Sequence, residues 1–126
     1  MLQTAALIGF VPVADVAVAR EFYETPLGLP VVEESPFALV VDAHGTMVRI
    51  TPVPDLRPQP STVLGWAVED IEATVDALTA RGVAFTRYDG MDQSPAGIWA
   101  TPGGDRVAWF CDPDGNTLSL TQFTRR

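Results

Sequence analysis

The chain carries the same pattern twice, and this repeat constrains its fold more than any other feature. The first copy is FVPVADVAVAREFYETPLGLPVV and the second is GWAVEDIEATVDALTARGVAFT. Aligning Asp15 with Asp70 also brings Val13 onto Val68 and Val16 onto Ile71. In each copy a short apolar run ends at an Asp, whose carboxylate suits the free N–H groups of a following helix. The spacing predicts one helix over Val16 to Tyr23, with Val16, Ala19, Phe22 and Tyr23 at helical intervals. It predicts another over Ile71 to Arg81, with Ile71, Val75 and Leu78 on one face. Gly28 and Gly82 then stand where a helix ends.

The later part of each half holds strands. Phe37 to Val41 and Thr46 to Thr51 flank the turn DAHG, and Arg106 to Cys111 and Thr117 to Phe123 flank DPDGN. Both turns have the Asp, Pro and Gly chemistry of a hairpin. A second alignment follows, DAHGTMVRI over DPDGNTLSL, independent of the first. The architecture expected is α+β, two tandem βαβββ modules with curved mixed sheets. Residues Thr51 to Ser61, TPVPDLRPQPS, hold four prolines and few apolar side chains. Proline lacks an N–H and fixes φ, so this stretch reads as a semi-rigid linker. The divisions expected are a first module at 1–52, a Pro-rich linker at 53–61 and a second module at 62–126, together one domain.

Composition narrows the chemistry. With 126 residues, of which 47% are hydrophobic and 19% charged, the chain is globular in character and long enough for a real core. Its one cysteine, Cys111, excludes an intramolecular disulfide and a Cys-rich zinc or iron–sulfur site. Its one histidine, His44, excludes a two-His iron site within one chain. All eight basic residues are arginine, so lysine Schiff-base chemistry and a P-loop lysine are excluded too. The net charge of −8 argues against nucleic acid and anionic membranes as partners. A neutral or cationic ligand is easier to accommodate, although acidity also serves solubility. No apolar run is long enough to span a membrane, and the N-terminus lacks the basic start of a secretory signal, so a cytoplasmic protein is expected.

The segments FVPVADVAVAREFYETPLG, WAVEDIEATVDALTARG and VAWFCDPDGNTLSL together resemble the vicinal oxygen chelate superfamily. That superfamily includes glyoxalase I, bleomycin-resistance proteins and extradiol dioxygenases. The resemblance covers nearly the whole chain and implies two βαβββ modules whose concave faces form a cavity, often in a homodimer. It also implies where metal ligands stand in the family's enzymes: on the first strand, seven residues before the Asp, and on the last strand, four after the turn glycine. In this chain those positions hold Ile8, Val63, Arg49 and Ser119. None is the His, Gln or Glu that the family uses. The expectation is no metal and no cofactor.

Strand alternation names the candidate ligand-binding residues. Phe10 follows Ile8 on one face, Met47 accompanies Arg49, and Gly65 and Ala67 follow Val63. Trp109 is expected opposite Ser119 across the second hairpin. With Trp99 near the rim, the candidate site is Phe10, Met47, Arg49, Gly65, Trp99, Trp109 and Ser119, a set suited to an aromatic or flat organic molecule. Trp109 is equally readable as core or interface. Arg49 is readable as the partner of a structural carboxylate, and burial would in either case demand an acceptor nearby.

Other residues read more plainly. Trp66 has the opposite parity and belongs to the helix-facing core. His44 sits in a solvated turn, Cys111 is an inert small hydrophobe, and Glu33–Glu34 and Glu69–Asp70 are surface charges. No catalytic residues are expected. The polar loop Tyr88 to Gly97 lies where it could cover a cavity mouth. The leading reading is a metal-independent binding protein that sequesters a toxic natural product or antibiotic, as bleomycin-resistance proteins do. The alternative is a metal-independent isomerase, epimerase or lyase acting on a small carbonyl compound.

Overall fold

A computed structural model describes residues 1 to 124, so the last two positions of the range 62–126 lie outside it. The chain divides into two compact units, Met1–Arg57 and Pro58–Arg126. After a single 3-10 turn, the first unit runs β1 (Ile8–Val13), α1 (Val16–Glu24), β2 (Val31–Glu34), β3 (Leu39–Ala43) and β4 (Thr46–Pro52). The second runs β5 (Thr62–Ala67), α2 (Ile71–Ala80), β6 (Trp99–Ala100), β7 (Arg106–Cys111) and β8 (Thr117–Gln122). Each unit is thus a βαβββ module with one four-stranded mixed sheet.

The two sheets have the same topology. The strand orders are β1-β4-β3-β2 and β5-β8-β7-β6, with the first and last strands of each unit parallel at one side. The two sequence alignments meet in the registers. Phe10 pairs with Arg49 in the first sheet, and Gly65 pairs with Ser119 in the second. These are the positions that the Asp alignment and the turn alignment independently make equivalent.

Both helices start as the aspartates dictate. Asp15 Oδ1 accepts hydrogen bonds from Ala17 N at 2.9 Å and Val18 N at 3.3 Å, and Asp70 Oδ1 accepts from Ala73 N at 3.0 Å. Helix α2 ends in a Schellman arrangement: Val83 N donates to Leu78 O and Gly82 N to Thr79 O, both at 3.0 Å. Gly82 takes φ +94° there, which a side chain resists.

Burial follows strand parity. In the first unit Val11, Val13, Val41, Val48 and Ile50 are buried, whereas Ile8, Phe10 and Met47 on the opposite face are exposed. In the second, Ile71, Val75 and Leu78 of α2 are buried together with Ala108, Phe110, Leu118 and Leu120 of the sheet. Trp66 stacks on Phe110 with ring centroids 6.4 Å apart, in the helix-facing layer where its parity puts it.

Three sequence expectations need correction. Pro52, which the Pro-rich stretch from Thr51 to Ser61 reads as linker, belongs to β4, where it pairs with Val13 of β1; a strand-end proline is tolerated here because pairing with β3 has already stopped at Ile50. Phe37 precedes β3 and is exposed, because Ser35 Oγ accepts from Phe37 N at 3.1 Å and Ala38 N at 3.3 Å and bends the chain. Cys111 is exposed on the face opposite Phe110 rather than packed as a small hydrophobe.

The second unit also departs from the first at one edge. Phe85 bridges to Phe110, and Trp99 pairs with Val107, both antiparallel. The edge strand is therefore split in two along β7, and the residues between Thr86 and Ile98 form a loop inserted into it.

Candidate functional site

The second unit holds three aromatic side chains, Tyr88, Trp99 and Trp109, apart from the helix-facing layer of Trp66 and Phe110. Trp109 stands opposite Ser119, which in turn stands opposite Gly65, so the three form one row across β7, β8 and β5. A Cβ at Gly65 would lie 2.7 Å from Ser119 Oγ. Glycine at that position thus lets the serine lie across the row and keeps the face beside Trp109 open.

The split edge strand brings two more rings to Trp109. Trp99 lies with its ring centroid 6.2 Å from that of Trp109, tilted by 32°. Tyr88 meets Trp109 edge-on at 5.4 Å and 89°. Both distances lie in the range where aromatic pairs attract beyond simple burial. A hollow of about 250 Å³ opens here, lined by Pro60, Thr62, Tyr88, Met91, Trp109 and Thr117 among others. Its volume suits one flat ring system rather than a whole drug-sized molecule, which needs roughly 300–1,000 Å³. Burial raises the Tyr88 phenol above its ordinary pKa, and the charge of a Cys111 thiolate adds to the effect. The phenol is therefore a hydrogen-bond donor at neutral pH, not a base.

The loop that supplies Tyr88 and Met91 is held by its own polar groups. Gln93 is buried, and its amide bonds to Tyr88 N, Thr86 O and Gly97 O. Arg87 donates to the carbonyls of Gln93, Ser94 and Pro95. The loop is a fixed wall beside Trp109. Tyr88, Met91 and Gln93 were not singled out by strand alternation, since they lie outside the strands. A ten-residue polar stretch between apolar runs was their only signal.

In the first unit, Phe10, Met47 and Arg49 share one face of β1 and β4, with Phe10 opposite Arg49. Phe10 is 62% exposed. Arg49 is half-buried, and among the described residues no carboxylate lies within ion-pair distance of it. An acceptor was expected beside a buried Arg49, and partial exposure to water removes that requirement. Other arginines are engaged: Arg106 pairs with Glu72 at 2.7 Å, and Arg20 pairs with Glu24 and Glu34. The acidic pairs accordingly serve structure and surface, and Asp70 serves as a helix cap. His44 is an exposed turn residue at φ 51°, next to Gly45 at φ 92°.

The four positions where the family resemblance puts metal ligands do not fit a divalent ion. Ile8 and Val63 have no donor atom, Arg49 is a cation, and Ser119 offers only a neutral hydroxyl. Among the described residues no group of three or more His, Cys, Asp or Glu side chains is placed to hold a metal.

Comparison with known proteins decides the family. The family model of the Glyoxalase/Bleomycin resistance protein/Dioxygenase superfamily matches residues 3–120. The chain belongs to this superfamily. No curated protein matches the chain. Among solved structures it is similar to TnmS3, an antibiotic binding protein from Streptomyces sp. CB03234, with 29% identity and a TM-score of 0.72 over 98% of this chain and 99% of that one. It is also similar to a superfamily member from Sphaerobacter thermophilus DSM 20745, with 25% identity and a TM-score of 0.75 over 98% of this chain and 100% of that one. A glyoxalase family protein from Enterococcus faecalis shares the fold, with 19% identity and a TM-score of 0.76 over 97% and 100% of the two chains. Glyoxalase-superfamily members thus share this fold across substantial sequence divergence. No helix of the described residues is long and apolar enough to cross a membrane.

Proposed function

We propose that this superfamily member is a metal-independent binding protein for a flat, aromatic organic molecule, a natural product or antibiotic, which it sequesters without chemical change. The observation that carries the reading is the ring cluster of Tyr88, Trp99 and Trp109, of which Tyr88 and Trp109 line an open hollow. Stacking on such rings holds a planar ligand through apolar area and quadrupole geometry, with no reacting group required. The likeness to an antibiotic-binding protein over nearly the full chain supports it. The non-ligating residues at the family's metal positions support metal independence.

The proposed ligand face of the second unit is Gly65, Trp99, Trp109 and Ser119, and Phe10, Met47 and Arg49 are the candidate contacts on the first unit's own open sheet face. A neutral or cationic ligand suits a chain of net charge −8. The protein works as a homodimer in the cytoplasm. Exposed Ile8, Phe10 and Met47 on the open face of the first sheet support self-association, since apolar side chains clustered on one face are seldom left to water. An isomerase or lyase would need a general base near the ligand. The hollow's lining includes no carboxylate or histidine, and this favours binding over turnover.

The test is a thermal-shift screen of the chelator-treated protein against planar polyaromatic and glycopeptide natural products. A binder at a hundred times its Kd stabilises by about 2.7 kcal/mol, so micromolar ligands register. The reading expects a stabilising planar ligand that is lost with Trp109→Ala. Silence across the library, or binding unchanged in that variant, contradicts it.

A further inference from the structure

We propose that Gln93 is the positioning residue of the aromatic site, setting the placement of both rings that flank Trp109. The inference rests on the reading of Trp109 as the ligand platform. Gln93 lies at the centre of the inserted loop, 9% exposed. Its Oε1 accepts from Tyr88 N at 2.7 Å. Its Nε2 donates to Thr86 O at 3.0 Å and to Gly97 O at 2.9 Å. One amide thus ties the entry of the loop to its exit. Gln93 also forms an antiparallel bridge with Trp99. Tyr88 and Trp99, the two rings against Trp109, are therefore each attached to this residue, one through the side chain and one through the backbone.

The chemistry requires an amide. Two carbonyls and one N–H face the side chain, and only a group with two donors and an acceptor meets all three. Glutamate keeps the shape and the acceptor but sets a carboxylate against the oxygens of Thr86 and Gly97. Leucine keeps the size and leaves all three backbone groups unpaired, which is costly where the site is buried. Arg87 closes the loop from outside through the Gln93, Ser94 and Pro95 carbonyls, none of them a group that the Gln93 amide holds. Positioning thus falls to Gln93 and not to the outer clamp.

The experiment is near-ultraviolet circular dichroism on the full chain without ligand. The difference between the wild type and Trp99→Phe isolates the Trp99–Trp109 coupling. The same difference is then measured in Q93E and Q93L. The proposal expects the coupling to fall by half or more in both, with an unchanged far-ultraviolet spectrum. A residue that only stabilised the loop would lower the thermal midpoint and leave the coupling intact below it. Unchanged coupling in both variants therefore overturns the proposal, whatever happens to the midpoint. Should Q93L fail to fold, the isosteric Q93E decides. Loss of the fold in both would also overturn it, by making Gln93 a core residue. Because no ligand enters the measurement, the Gln93 assignment and the binding reading can fail separately.

Discussion

Trp109 makes more of the candidate site than any other side chain, since Tyr88 and Trp99 both pack on it. Trp109→Ala is expected to weaken ligand binding by about tenfold or more, as truncation of a central aromatic anchor does. Titration calorimetry checks it. Tyr88 gives a pH signature. Its folded-state pKa lies above the unfolded value, so its contribution to stability is complete below about pH 10 and is lost as pH rises through the folded value. Alkaline unfolding curves of Tyr88→Phe should accordingly fall less steeply above that pH than those of the wild type. Asp112 governs the second hairpin's turn: Oδ1 accepts from Asp114 N and Asn116 N, each at 2.9 Å, and Oδ2 from Asn116 Nδ2 at 2.8 Å. Removing a buried acceptor leaves its donors unpaired, so Asp112→Ala should cost about 2–3 kcal/mol in urea unfolding.

At the scale of elements, the repeat has energetic content. Asp15 and Asp70 each cap a helix, and Asp15→Ala and Asp70→Ala should each cost about 1 kcal/mol by chemical denaturation. Capping chemistry and strand parity explain what was legible beforehand. The hairpin reading placed Trp109 opposite Ser119, and the register has that pair. The two alignments made Phe10 equivalent to Gly65 and Arg49 to Ser119, and the sheets pair Phe10 with Arg49 and Gly65 with Ser119 in matching places. Such pairings follow from local periodicity, which a single sequence displays. Tyr88, Met91 and Gln93 were not legible, because their loop has no period. Its shape comes from one glutamine amide and one guanidinium bonding to carbonyls several residues away. The same limit applies to Phe37, where a serine hydroxyl in a bend outweighed strand propensity.

At the scale of the whole molecule, two βαβββ units carry open sheet faces on an acidic chain. The proposed homodimer predicts a sedimenting species of twice the chain mass at micromolar concentration. A single-chain mass throughout would contradict that part of the account. Its central claim is binding without metal and without turnover. Equilibrium dialysis of a ligand found by the screen, against protein with and without chelator and with mass spectrometry of the recovered ligand, tests that claim most directly. The account predicts equal affinity in both cases and a ligand recovered unaltered. Affinity abolished by the chelator, or a ligand of changed mass, would contradict it.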